Sequence, residues 1–181
     1  MAELISRFSE ETDRLGAREK IREIFFLTSA LGDSCKKQDG ERFFHTWAGW
    51  YLDSLPGETL LVRNAECEIV GYLTGCLDSG AALPLYRDIF YFRAFAHWYV
   101  KYPAHFHVNC HPDFQGYGFG ASLVQAFIAY VMKKGWNGVH LVTGEKARNR
   151  SFYERLKFCE KACLTICDKR LVILARDCRV G

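Results

Sequence analysis

A mixed α/β fold is predicted, on three observations. A strand-like run, Phe106-His107-Val108-Asn109-Cys110, leads into a glycine-rich loop, Gln115-Gly116-Tyr117-Gly118-Phe119-Gly120, and then into a helix-like run over residues 121–134. A strand over residues 139–143 follows, completing a strand–loop–helix–strand unit. Two runs near the C-terminal end, residues 159–167 and 171–178, read as a strand pair around Asp168-Lys169.

Spacing and breakers supply the other elements. Residues 4–8 suit a short first strand. Residues 13–31 carry Ile21, Ile24, Phe25 and Ala30 near helical spacing. Residues 36–40 are a polar break. Residues 41–55 form a second helix, dense in Phe43, Phe44, Trp47, Trp50 and Tyr51, and Pro56-Gly57 ends it. Residues 59–63 and 68–75 are paired strands, with Asn64-Ala65-Glu66 near the turn. Residues 78–84 are a loop, and residues 85–100 an aromatic-rich helix stopped by Pro103. The central strand covers residues 105–111, Gly135-Trp136-Asn137-Gly138 stops the following helix, and residues 149–156 suit a short helix. No repeat, linker or low-complexity tract interrupts the pattern, so residues 1–181 are read as a single domain.

Composition narrows the function classes. A chain of 181 residues buries a sizeable core without staples, and 49% apolar with 25% charged residues is a globular balance. The net charge of +3, with Lys and Arg scattered, argues against a nucleic-acid partner. No basic-then-apolar leader opens the sequence and no apolar run reaches membrane-spanning length, so the expectation is a cytoplasmic protein with no membrane partner. The eight cysteines include no C-x-x-C pair. Cys159, Cys163 and Cys167 are spaced by four, which on an unbroken strand puts all three on one face. They are read as reduced thiols filling small core spaces, against the alternative of a metal or redox site.

The glycine loop carries the most chemistry. Its glycines let the backbone approach a ligand closely, and a helix starting there aims free N–H groups and a partial positive charge back at the loop. Such a place binds phosphate, so a phosphorylated cofactor is expected. Gly116-x-Gly118-x-x-Ala121 matches a loose dinucleotide fingerprint, with Glu145 roughly where a ribose-binding acid would fall. Too little chain follows for the βαβ series that this fingerprint normally opens.

Coenzyme A is the better candidate. Residues 112–123, Pro-Asp-Phe-Gln-Gly-Tyr-Gly-Phe-Gly-Ala-Ser-Leu, resemble the pyrophosphate loop of the GNAT superfamily of acyl-CoA-dependent N-acetyltransferases. Residues 152–158, Phe-Tyr-Glu-Arg-Leu-Lys-Phe, resemble a segment that follows it in the same superfamily. The likeness is strongest over residues 105–158. Residues 102–109, Tyr-Pro-Ala-His-Phe-His-Val-Asn, further resemble the acetyltransferase-like C-terminal domain of O-GlcNAcase and its bacterial relatives.

The resemblance implies a central mixed, mostly antiparallel sheet with a splayed central strand pair and flanking helices. It also implies direct acetyl transfer from acetyl-CoA to an amine, with no metal. Gln115, Gly116, Tyr117, Gly118, Phe119 and Gly120 would hold the pyrophosphate, and the central strand, with Cys110 and His111, would lie beside the pantetheine arm. Asn149 and Phe152 complete the expected cofactor contacts. Tyr153 is the candidate general acid toward the CoA thiolate.

Side-chain alternation puts Phe106, Val108 and Cys110 on one face of the central strand and His105, His107, Asn109 and His111 on the other. His107 is the leading base candidate, because its ordinary pKa suits proton transfer near neutrality; His105 and His111 rank behind it. Three departures from the family pattern stand out. Asn109 occupies a position where the subgroup carries a carboxylate, Lys146 one where many relatives carry asparagine, and Lys157 one where glycine is usual. The Asn109 and Lys146 departures motivate an alternative: a catalytically silent acyl-CoA-binding module serving as sensor or partner domain.

The aromatic-rich segments 41–55 and 85–102 are read as the acceptor wall, hinting at a flat, apolar or cationic acceptor, with Asp78, Asp88 and Glu145 available to recognise an amine. The partner expected is a small-molecule or peptide amine; the assembly expected is a homodimer.

Overall fold

Seven strands pair into one sheet in a computed structural model that describes residues 4–29 and 37–178. The strands are β1 (Leu4–Arg7), β2 (Leu60–Arg63), β3 (Ile69–Cys76), β4 (Ala104–Cys110), β5 (Gly138–Gly144), β6 (Cys159–Ile166) and β7 (Lys169–Asp177), in the spatial order β1-β2-β3-β4-β5-β7-β6. The pairs β1–β2, β2–β3, β5–β7 and β6–β7 are antiparallel. The central pair β4–β5 is parallel, and its register among the described residues consists of Ala104↔Val139 and His105↔His140. This parallel pair at the centre of a mixed sheet is the fold class expected from the sequence. Flanking helices are α1 (Arg14–Thr28), α2 (Lys37–Phe44), α3 (Trp50–Ser54), α4 (Leu83–Asp88), α5 (Ala96–Tyr99), α6 (Phe119–Lys133) and α7 (Arg150–Arg155).

The chain divides into two compact units, Met1–Gly75 with His107–Phe127, and Cys76–Phe106 with Ile128–Gly181. In the first, Asp13 caps α1 by accepting from the Gly16 N–H at 2.9 Å. The helix then buries Ala17, Ile21, Ile24 and Phe25 in a cluster with Phe8, Phe44, Ala48, Leu52, Leu61 and Tyr72. Each such large side chain contributes roughly 1.5–3 kcal/mol by leaving water. The helical stretch expected from residue 41 begins earlier, at Lys37, so the polar break does not hold over its described part. A Cβ at Gly40 would lie 3.6 Å from the Phe26 ring, so tertiary packing of this turn overrides its polar composition. Between α2 and α3 the helix widens to a π turn over His45–Gly49. A Cβ at Gly75 would clash with the Phe127 ring, so the bare backbone of β3 is what lets α6 lie against it. The expectations placed on Ala30, Leu31, Cys35 and Lys36 lie outside the described residues.

In the second unit, the single helix expected over residues 85–100 is three short pieces. Helix α4 stops at extended Ile89 (φ −107°, ψ 110°), a tight turn spans Phe92–Phe95, and α5 follows. Aromatic packing explains the break: the Phe92 ring sits 5.0 Å from Tyr86 and 4.9 Å from Tyr99. The Tyr99 hydroxyl donates to the Phe92 carbonyl at 2.8 Å, satisfying backbone that a continuous helix would have paired. The terminal hairpin turns at Cys167-Asp168, one residue earlier than expected, with φ of 47° and 60°. Positive φ at both positions matches the twist of the strands it joins.

That hairpin also corrects the cysteine reading. Cys159 pairs with Ala175 and Cys163 with Val172, with a bulge between Glu160 and Ala162. The partners are an odd number of residues apart on β7, so Cys159 and Cys163 face opposite sides, and Cys167 lies in the turn. Cys76 and Cys178 are buried, whereas Cys67, Cys159 and Cys167 are exposed, so core filling accounts for only part of the set. No disulfide or metal-holding cluster occurs among the described residues.

Candidate active site

The loop after β4 is open backbone. A tight turn, Pro112–Phe114, leaves the strand, and the Gln115 side chain reaches back to donate to the Cys110 carbonyl at 3.2 Å. Gly116 and Gly118 adopt φ of 85° and 97°, torsions costly for any residue with a Cβ. Gln115, Gly116, Tyr117 and Gly118 are exposed, and among the described residues nothing in the protein accepts from the N–H groups of Gly116, Tyr117 or Gly118. Gly120 stands in the first turn of α6, whose 15 residues aim their N-terminal N–H groups at the same place. The donor set fits a diphosphate: exposed backbone N–H groups at the start of a long helix.

Strand β4 distributes its polar side chains unevenly. His105 is buried: Ser79 donates to the Pro103 carbonyl at 2.6 Å and so accepts from His105 Nδ1 at 2.7 Å. That is a satisfied structural histidine. His111 lies past the strand end, where its Nδ1 accepts from the Asp113 N–H at 3.3 Å. His107 and Asn109 come together, in the wall of a pocket of about 270 Å³ that is completed by Phe25, Ser29, Phe43 and Trp47. All six residues belong to the first unit.

The His107 ring packs edge-on to Trp47 and Tyr51, with centroids 5.5 and 5.6 Å away. Desolvation there pushes its pKa down to about 4, so the imidazole is neutral at neutral pH. Asn109 is held from both ends: Thr28 Oγ1 donates to its Oδ1 at 3.1 Å, and its Nδ2 donates to the Tyr72 hydroxyl at 3.0 Å. Sequence reasoning missed Thr28 and Tyr72, which lie 81 and 37 residues from Asn109 and carry no local signal. Cys110 packs into the space left by Gly71, where a Cβ would sit 2.9 Å from its sulfur, and burial pushes its thiol up to about 11.

In the second unit, α7 carries Phe152 and Tyr153, whose rings meet at 5.0 Å. Tyr153 is buried beside Phe106 and Phe158, and desolvation raises its hydroxyl above the usual phenol range, keeping it protonated. The helix ends in a complete glycine-type cap without glycine. Lys157 N–H donates to the Glu154 carbonyl and Phe158 N–H to that of Tyr153, with Lys157 at φ 67°. Asn149 precedes α7 and accepts from Thr143 Oγ1 at 3.0 Å. The acids proposed for amine recognition are engaged elsewhere: Asp78 with the Ala81 N–H, Asp88 with Arg87, and Glu145 with Arg170 through two 2.7 Å contacts.

An open glycine loop feeds a long helix directly after one strand of the central parallel pair of a mixed sheet, a build that suits a phosphorylated cofactor. Residues 21–158 match the model of the Acetyltransferase (GNAT) family, and the chain belongs to that family. Solved structures share the fold across their whole length. SsHAT matches with a TM-score of 0.78 at 22% identity, covering 99% of this chain and 100% of its own. The ribosomal-protein-S18-alanine N-acetyltransferase of Escherichia coli matches at 0.59 and 17% identity, covering 99% and 96%. An aminoglycoside 6′-N-acetyltransferase, solved with coenzyme A, matches at 0.66 and 13% identity, covering 98% of each chain. No curated protein sequence is significantly similar to the chain.

Proposed function

We propose that the chain, acting over residues 1–181 as one acetyltransferase domain, moves an acetyl group from acetyl-CoA directly to an amine acceptor. The observation that carries this reading is the open backbone at the head of α6, with Gly116 and Gly118 in positive φ, in a member of the GNAT family. The amine nitrogen attacks the thioester carbon, the C–S bond breaks as the amide forms, the amine proton leaves and the thiolate gains one. Residues 115–120 hold the diphosphate through N–H groups, with Cys110, His111, Asn149 and Phe152 as further contacts along the cofactor. Tyr153, kept protonated by burial, donates to the thiolate. His107, neutral at neutral pH, receives the amine proton, through water where the nitrogen is out of reach. Asn109 has no basic atom, and its role is to orient. The likeness of residues 102–109 to the O-GlcNAcase-related subgroup supports placing the chain there. Homodimeric assembly and a cytoplasmic location belong to the same proposal; among the described residues no helix is long and apolar enough to cross a membrane.

A second reading has an observation in its favour. An imidazole held near pKa 4 is a weak base for an amine, and Asn109 supplies no carboxylate, which suits a silent acyl-CoA-binding module. Free-thiol release with acetyl-CoA and a panel of amines separates the two. The enzyme reading requires release above the hydrolytic background and a slowing of about a hundredfold in Tyr153→Phe. Acyl-CoA binding with no release from any amine supports the silent module.

A further inference from the structure

We propose that the pocket of the first unit takes the ring of an arylalkylamine, and that this class of amine is the acetyl acceptor. The proposal rests on the acetyl-transfer reading above. Its walls are three aromatic rings: Phe25 and Phe43 meet at 5.2 Å and 50°, Phe43 and Trp47 at 6.2 Å and 55°. Tilted aromatic walls favour an aromatic occupant, whose edges and faces they complement. The volume, about 270 Å³, is just under the usual range of about 300–1,000 Å³ for ligand pockets and suits one ring system with a short chain.

Among the described residues, the polar part of the lining is Ser29, His107 and Asn109, with no carboxylate. A polycation or a lysine-rich peptide entering here would meet no counter-charge from the described lining. Three described acids on the flanking helices are paired, Glu23 with Lys20, Glu41 with Arg22 and Asp53 with Arg18. A single amine on an apolar body needs only the ring faces and the neutral polar atoms at the β4 wall. Desolvation keeps His107 neutral, so the pocket gains no positive charge to repel that amine. Trp47, the largest wall residue, sits on the π turn His45–Gly49, a local widening of a kind that recurs at functional sites.

The test is calorimetry and thiol release with 2-phenylethylamine, tryptamine, spermidine and kanamycin, on wild type, Trp47→Ala and Trp47→Phe, with acetyl-CoA in the release assay and CoA in calorimetry. Both arylalkylamines should bind, with kcat/KM at least about tenfold above the polycations. Trp47→Ala should raise their KM about tenfold while CoA binding stays at the wild-type level, and Trp47→Phe should recover most of the loss. Preference for spermidine or kanamycin overturns the proposal, as does an unchanged KM in Trp47→Ala. Arylalkylamine binding that Trp47→Ala abolishes, without thiol release, upholds the pocket assignment and overturns the acetyl-transfer reading instead.

Discussion

The imidazole of His107 stands edge-on to the indole of Trp47, with centroids 5.5 Å apart and planes at 82°. Stacking against Trp47 and Tyr51 strips water from the ring, and the neutral form wins. The consequence is measurable as pH-dependent stability. The pKa falls from 6.5 in the unfolded chain to about 4 in the folded one, so below pH 6.5 the unfolded state holds the extra proton. The contribution is complete above pH 6.5 and is lost as pH falls to about 4, by up to about 1.4 kcal/mol per pH unit. Urea midpoints between pH 7 and 4 should fall more steeply for wild type than for His107→Gln; parallel curves would show an ordinary, hydrated histidine.

Asn109 joins α1 to β3 through Thr28 and Tyr72. Asn109→Leu keeps the volume but leaves the Tyr72 hydroxyl buried without this partner. The expected cost is about 1–3 kcal/mol of unfolding free energy, read by urea denaturation. A loss under about 0.5 kcal/mol, the size of an ordinary surface change, would mean that the bridge does not hold the strand.

Lys157 occupies a left-handed position, φ 67°, at the end of α7, where its own N–H and that of Phe158 close the helix. The strain of a side chain there outweighs the extra entropy that glycine loses on folding. Lys157→Gly should therefore stabilise the protein by roughly 0.5–1 kcal/mol, raising Tm by about 1–4 °C. A lowered Tm would show that the lysine side chain contributes packing that compensates for its torsion.

Much of the fold was legible because it is written in local pattern. The glycine loop, α6 behind it and the Phe152-Tyr153 helix all lie where spacing put them, since turn chemistry and periodicity act within a few residues. What was not legible depends on distant partners. His105, His107, Asn109 and His111 look alike as alternating polar residues of one strand. Ser79 takes the first into the core, Trp47 and Tyr51 desolvate the second, and the last lies beyond the strand end. The three cysteines spaced by four in residues 159–167 were separated by a bulge that no local residue announces. The helix over residues 85–100 was lost to ring packing among Tyr86, Phe92 and Tyr99, a tertiary effect that helical propensity cannot register. Lys157 departs from the glycine usual in the family, and the turn persists regardless.

The most direct measurement is thermal stability of wild type and Gly118→Val across a CoA titration. If residues 115–120 hold the diphosphate, CoA at a hundredfold excess over its dissociation constant stabilises wild type by about 2.7 kcal/mol. A branched side chain at φ 97° disrupts that loop, so Gly118→Val should remain folded and lose most of the shift. No stabilisation by CoA, acetyl-CoA or any longer acyl-CoA, or an undiminished shift in Gly118→Val, would contradict the account.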